Sequence, residues 1–386
     1  MSLDSKASSP VRVGVIGGGQ LARMMGEEAA KCNVFLTVLA ESSDDPATHT
    51  CDDVIIGSPQ DLDALRALAA QSDVITFDHE LLHLGLLGQV SIEGTPLLPG
   101  IDALMYAVDK AHQRRRFAHH ELPLPSFLII GDPEHAMLLP FLDSLTSEPV
   151  IKMTRGGYDG RGVFFPESRE ETMALILELT EEHEILLEER LSLDGEVAQV
   201  VACGVGGVHE FYPLVTTVQA NGMCVETIYP CTFAQELEEE ARSISQRVAT
   251  ITGAVGNLAI EYFVVNGKLI INEIALRPHN SGHWTIEGCE TSQFANHLLA
   301  VSGQPLGPVT PRGEHVVMVN VVGSDAPGSY EDAVAVVGAN VHDYGKSWRP
   351  GRKLGHVTVV GEDAQEVNMT AWKSAVLFGT PDLEAK

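Results

Sequence analysis

Positive charge is scarce in this chain. It carries 25 Lys and Arg against 53 Asp and Glu, a formal net charge of -28. So acidic a surface repels nucleic acid and anionic membrane, which argues against generic binding to either. Any anionic substrate then needs a locally cationic pocket. Long apolar runs are missing too: nothing reaches the roughly 18 residues expected of a membrane-spanning helix. The opening MSLDSKASSP lacks the apolar core of a signal peptide, and residues 1–9 are expected to be a disordered or extraneous tail. The six cysteines, Cys32, Cys51, Cys203, Cys224, Cys231 and Cys289, include no C-x-x-C pair and no regular framework, which fits a reducing cytoplasm. What remains is ordinary globular material, 386 residues at 44% hydrophobic, enough for two or three domains with buried cores.

Residues 11–100 alternate short apolar runs (VRVGVIG, VFLTVLAE, DVITFD) with helical patterns (LARMMGEEAAKC, LDALRALAAQ). That alternation predicts βαβαβ and a parallel sheet, closed by Pro99-Gly100. One helix is expected over 102–120, broken by Pro123 and Pro125. Between 126 and 200 the pattern reads as a small mixed unit: strand FLII, a helix near HAMLLPFLDSL, strand PVIKM, a glycine loop, strand VFFP, a helix over 170–182 and strand EILLEER. Two antiparallel strands are expected over 196–218. Leu237, Ala241, Ile244, Val248 and Ile251 fall at steps of four and three, the signature of an amphipathic helix. LAIEYFVVNGKLIINEI then reads as a hairpin turning at Asn266-Gly267. From about 306 the chain turns β-like, as a smaller terminal module.

Several stretches carry chemistry. KMTRGGYDGRGV (152–163) places four glycines among Lys152, Arg155 and Arg161. Bare backbone flanked by cations suits polyphosphate, though a tight hairpin loop is the plainer reading. GVIGGGQLA fits G-x-G-x-x-A between a strand and a helix, with Glu41 ending the next strand, so Gly17, Gly19 and Ala22 could seat a dinucleotide; any βαβ turn also favours glycine. HELLH (79–83) matches a zinc-protease pattern, but it works only if His79 and His83 lie one helical turn apart, and here it begins at a strand end. Glu80 at the carboxyl end of a parallel strand stands where ligands bind in such sheets.

Glu261 and Glu273 lie on the two arms of the predicted hairpin. Charges on apolar strands are costly unless paired, and a shared divalent cation, Mg²⁺ or Mn²⁺ for oxygen-only ligands, is the simplest partner. Register decides this. A two-residue turn sets Glu261 opposite Asn272 and sends Glu273 to the other face, whereas a three-residue loop with a bulge, or an extra bulge, puts both carboxylates on one face. ALRPHNSGHWTIEGC follows at once, with Arg277, His279, Asn280, Ser281 and His283 suited to a small anion. KSWRPGRKLGH supplies Lys346, Arg349, Arg352 and Lys353, the cationic patch that the overall charge calls for. In EERLSLDGE, Glu188 and Glu196 stand eight apart.

Together GGYDGRG, INEIALRPHNSGHWT and YGKSWRPGRKLGH, in this order, resemble the ATP-grasp superfamily and, within it, the 5-(carboxyamino)imidazole ribonucleotide synthetase family, over about residues 11–360. The resemblance implies a mixed α/β fold: a Rossmann-like domain over 10–108, an ATP-grasp domain over 109–305 with 126–190 as its lid, and a β-rich module over 306–386. It implies ATP held by Lys110, Lys152, the loop Gly157, Tyr158, Asp159, Gly160, Arg161 and Gly162, then Glu188 and Leu191 at adenine, Glu196 at ribose, and Gln219 and Asn272. Mg²⁺ would sit on Glu261 and Glu273, and bicarbonate on Arg277, His279 and Asn280. The ribonucleotide would touch Gln20, Glu80, Tyr158, Asp159 and Arg161, with its phosphate on Lys346, Arg352 and Lys353. Arg277, His279, Asn280 and Lys152 are the expected catalytic residues and a homodimer the expected assembly. The chain departs from the family pattern at Lys110, Cys203, Thr217, Gln219, Leu276 and in FDHELL, where a more acidic F-E-x-E is usual.

Overall fold

The computed structural model describes residues 9–156, 162–220 and 222–381. The expected tail lies outside them except for Ser9. In the N-terminal part β1 (Val11–Ile16), β2 (Val34–Ala40), β3 (Asp53–Ile56) and β4 (Val74–Phe77) form a parallel sheet in the order β3-β2-β1-β4. α1 (Gln20–Ala29) covers one face. α2 (Leu62–Ala69) and α3 (Leu84–Ile92) cover the other. Burial on both faces explains why the strands read as continuous apolar runs. β3, which the sequence pattern did not separate, is a four-residue edge strand. Leu97 adds a bridge to Ile75 just before Pro99.

The single helix expected over 102–120 is two, α4 (Ile101–Val108) and α5 (Lys110–His119). Asp109 breaks it: its backbone is extended and its side chain accepts the His112 N–H at 2.8 Å, capping α5. β5 (Phe127–Ile130), α6 (Leu138–Ser144), β6 (Val150–Met153), β7 (Val163–Phe164), α7 (Arg169–Leu179) and β8 (Ile185–Glu188) build a small four-stranded sheet ordered β5-β8-β6-β7.

The rest of the described chain is organised on one nine-stranded sheet. Three strands stand where two were expected over 196–218: β9 (Gly195–Cys203), β10 (His209–Phe211) and β11 (Val215–Ala220). β12 (Met223–Tyr229) follows. The helix α8 (Glu236–Thr252) then buries Leu237, Ala241, Ile244 and Val248 against the sheet, each large aliphatic side chain contributing about 1.5–3 kcal/mol. The hairpin β13 (Gly256–Val265) and β14 (Lys268–Ala275) continues the sheet. After α9 (Thr285–Gly288) and α10 (Gln293–Val301), β15 (His315–Val322), α11 (Tyr330–Val334), β16 (Ala339–Asp343), β17 (Lys353–Gly361) and α12 (Ala364–Phe378) finish the chain. Two features of the small C-terminal module were not foreseen. The C-terminal strands extend the central sheet, because β15 pairs with β12, and a fifteen-residue helix, α12, packs on β15 and β17. α10 in turn buries Phe294 and Leu298 against the N-terminal sheet beside Met24 and Met25 while also packing against β13 and β9, so this helix joins the N-terminal sheet to the central one.

Candidate active site

A cleft of about 500 Å³ opens where these parts meet. Its walls are the β1–α1 turn, the end of β4, the α4–α5 junction, the face of the central sheet and the segment after β14.

The β1–α1 turn does not present an open anion site. The Asp78 carboxylate fills it, accepting the Gly19 N–H at 2.6 Å. Gly17 adopts φ +106, and a Cβ there would lie 1.9 Å from Asp78 Oδ1. A protein carboxylate therefore stands where a dinucleotide would place its pyrophosphate, and the nicotinamide reading fails on this point. Burial raises the Asp78 carboxyl, while His79, the Gly19 amide, Arg277 and Lys346 oppose the shift. HELLH does not form a helical pair: His79 lies in the loop after β4, its Nδ1 accepting the Leu81 N–H, and His83 caps α3. Glu80 turns to the other side of the cleft. It accepts the Leu276 N–H and pairs with Arg277 Nη2, both at 3.2 Å. Gln20 receives the Lys346 ammonium at 2.6 Å. Lys353 lines the cleft, while Arg352 donates to Ser347 and does not; Arg349 is exposed.

The hairpin resolves the register question. Asn266 and Gly267 form the two-residue turn, both with positive φ, as a type I′ turn requires. Val265 then pairs with Lys268 and Tyr262 with Ile271, but a bulge at Asn272 brings Glu261 opposite Glu273. Both carboxylates therefore share one face and line the cleft. Burial, Glu273 and Glu196 raise the Glu261 carboxyl to about 8. Lys110 Nζ stands 3.6 Å from Glu273, and His279 Nε2 3.8 Å from Glu261. Glu196 and Gln219 come from β9 and β11, Gln219 at a bulge and in the wall of the cleft. Burial raises the Glu196 carboxyl as well.

Glu188 lies at the centre of a buried ion cluster. Both of its carboxylate oxygens are taken, one by Arg114 Nε at 2.5 Å and one by Lys152 Nζ at 2.6 Å. It is 2% exposed. Burial pushes its carboxyl up, but Arg114 and Lys152 outweigh burial and hold it at about 2. A charge this deep needs cationic partners, and Glu188 holds Lys152 in place. Arg114, which sequence reasoning missed, also donates to the Asn272 carbonyl at 2.6 Å, so it braces the bulge. Arg155 pairs with Asp109 at 2.7 Å, and the Lys110 N–H donates to the Thr154 carbonyl; these contacts tie the base of the glycine loop to α5. Gly162 closes the loop, its carbonyl accepting from Met153. Leu191 is half-buried after β8. Gly157, Tyr158, Asp159, Gly160 and Arg161 lie outside the described residues.

Beyond β14 the chain places Arg277, His279, Asn280 and His283 in the cleft wall. Among the described residues, Arg277 Nε and Asn280 Nδ2 are buried donors without a hydrogen-bond partner. Buried donors of this kind are costly, and two of them in the cleft wall suit a small oxyanion.

Models of known families match the chain in the same three parts. A ribonucleotide synthetase preATP-grasp domain matches residues 11–107, an ATP-grasp domain 115–294, and a phosphoribosylaminoimidazole carboxylase C-terminal domain 316–370. The N5-carboxyaminoimidazole ribonucleotide synthase of Mycobacterium tuberculosis is 39% identical over 92% of this chain and 85% of its own. The synthetase structure from Thermus thermophilus superposes with a TM-score of 0.87 at 31% identity, covering 96% of this chain and 99% of that one. The Aspergillus clavatus enzyme, in complex with ADP and 5-aminoimidazole ribonucleotide, gives 0.85 at 27% identity over 96% and 99%. An Asp78-filled turn, a carboxylate pair on one sheet face and a cleft joining them are thus set in a chain that belongs to the N5-carboxyaminoimidazole ribonucleotide synthase family.

Proposed function

We propose that this protein uses ATP and bicarbonate to carboxylate the exocyclic amine of 5-aminoimidazole ribonucleotide, giving N5-carboxyaminoimidazole ribonucleotide, ADP and phosphate. The observation that carries the reading is the continuity of the cleft: Lys110 and Glu273, the Arg277–Asn280 segment and the β1–α1 turn line one cavity, so an activated carboxyl group made at one end can meet an amine held at the other.

Glu261 and Glu273 fit a divalent cation, because two carboxylates paired across a bulge repel each other, and carboxylate oxygens favour Mg²⁺ or Mn²⁺. Mg²⁺, or Mn²⁺, bound there supplies charge neutralisation to the phosphates of ATP. Lys110 and Lys152 bring the chain's own cations to those phosphates, Lys152 being aimed by Glu188. Leu191, Glu196, Gln219 and Asn272 border the nucleotide. Arg277, His279 and Asn280 orient bicarbonate, one oxygen of which attacks the γ-phosphorus and displaces ADP. The resulting carboxyphosphate transfers its carboxyl carbon to the amine, the C–N bond forming as phosphate leaves and the N–H proton is lost. Excluding water matters because carboxyphosphate hydrolyses. The ribonucleotide lies towards Gln20 and Glu80, its phosphate met by Lys346 and Lys353. All six cysteines are free, in keeping with a cytoplasmic enzyme, and the family resemblance supports a homodimer.

Phosphate release from Mg²⁺-ATP, measured with and without 5-aminoimidazole ribonucleotide and bicarbonate, tests the reading. It should need both and vanish in Glu273→Gln. Release indifferent to the ribonucleotide would assign another acceptor.

A further inference from the structure

Gln293 is wholly buried at the first position of α10 and belongs to none of the expected site residues. Its side chain reaches back to the segment that follows β14. Oε1 accepts the His279 N–H at 3.0 Å, and Nε2 donates to the His279 carbonyl at 2.7 Å. One amide thus satisfies both backbone groups of a residue in the cleft wall, as a neighbouring strand would. Nε2 also lies 3.1 Å from His283 Nδ1, and the Asn257 amide reaches Oε1 at 3.4 Å. A Cβ on Gly282 would stand 2.3 Å from Oε1, so the side chain is seated directly on the turn.

The polarity of these partners leaves one orientation of the amide: the carbonyl of His279 needs a donor and its N–H needs an acceptor. The same amide N–H₂ then meets His283 Nδ1, which must accept, placing the ring proton on Nε2. His279 is held extended, at φ -123 and ψ 153, with its Nδ1 2.9 Å from Ser281 Oγ and its Nε2 towards Glu261. A carboxylate in place of the amide would keep the acceptor and lose both donated bonds. A thioether of similar length would lose all of them.

We infer that Gln293 is a positioning residue for the bicarbonate end of the cleft: it fixes the backbone of His279 and the tautomer of His283, and so governs bicarbonate use without touching ATP. This rests on the proposed carboxylation.

The test compares Q293E and Q293M with the wild-type enzyme, by KM for bicarbonate and for ATP, kcat, ATP affinity by calorimetry, and Tm. In Q293E the bicarbonate KM should rise about tenfold or more, the scale of two lost hydrogen bonds, with ATP affinity within about twofold of wild type. Activity should recover partly at acidic pH in Q293E, where a protonated carboxyl can donate again, and not in Q293M. Bicarbonate KM unchanged in the folded variants overturns the inference. So do losses shared equally by ATP and bicarbonate that follow a fall in Tm, since a core role alone would give them. Where neither variant folds, ¹⁵N spectra of histidine-labelled wild-type protein decide: a His283 ring protonated at Nε2 supports the inference and one protonated at Nδ1 overturns it. Turnover by the wild type that needs no bicarbonate would instead show the failure of the carboxylation reading itself.

Discussion

Replacing Arg114 by methionine probes the buried charge cluster on which the phosphate-binding lysine depends. Arg114 and Glu188 are each 2% exposed. The substitution removes the 2.5 Å bond to Glu188 and the two 2.6 Å bonds to Gln113 and the Asn272 carbonyl. Lys152 is left to balance alone a carboxylate buried in a low-dielectric setting. Breaking such a pair costs about 3–5 kcal/mol, mostly because the surviving charge keeps its desolvation penalty. Urea denaturation of Arg114→Met should show that loss. ATP affinity should fall about tenfold, because Lys152 and the Asn272 bulge lose a shared brace. The double variant Arg114→Met/Glu188→Met should regain at least about 2 kcal/mol, since removing both charges lifts the penalty that removing one creates. A single variant within about 1 kcal/mol of wild type, or a double variant less stable than the single, would refute the reasoning.

Three further outcomes follow from the same structure. His283, His297 and His356 are buried, and burial pushes all of them down, His297 to about 3. The unfolded chain takes up protons below pH 6.5 that the native state refuses, so stability should fall as pH drops through that value, by about 2–4 kcal/mol per unit; urea midpoints at pH 7 and 5 that coincide would contradict this. Glu261 has the opposite sign: its carboxyl, raised to about 8, penalises the native state as pH climbs from the ordinary carboxylate range towards 8. Without Mg²⁺, Glu261→Gln should therefore be more stable than wild type at pH 8, by about 2 kcal/mol once water in the cleft is allowed for, and the gain should disappear by pH 5. A melting temperature that falls at pH 8 would count against the paired carboxylates. Gly17→Ala puts a methyl against Asp78 Oδ1 at a backbone angle that alanine resists, and should cost at least about 2 kcal/mol by thermal melting; a neutral effect would mean that Asp78 does not fill the turn.

Elements with strong local periodicity were legible in the sequence: the βαβ alternation, α8 with its buried Leu237, Ala241, Ile244 and Val248, and the Asn266-Gly267 hairpin. What was hidden depended on distant partners. The bulge at Asn272 has no local signature, yet it decides whether Glu261 and Glu273 meet. Arg114 sits in KAHQRRRFAHH, which reads as a solvated helix face until Glu188, 74 residues on, is seen to need it. Asp109 looked like one more polar residue inside a helix, and only its cap on His112 and its pair with Arg155 show why the helix ends there. α12 escaped notice because its buried face includes Ala371, Ser374 and Ala375, residues too small to make a clear apolar stripe. The Gly17 turn misled for the opposite reason, since the local pattern was right and a side chain from the end of a distant strand, Asp78, fills it.

The central claim is that ATP activates bicarbonate within this cleft by phosphorylating one of its oxygens. The most direct measurement is turnover with ¹⁸O-labelled bicarbonate, Mg²⁺-ATP and 5-aminoimidazole ribonucleotide, followed by mass analysis of the phosphate released. If bicarbonate attacks the γ-phosphorus, one ¹⁸O passes into each phosphate formed. Unlabelled phosphate, with carboxylated product still appearing, would contradict the account.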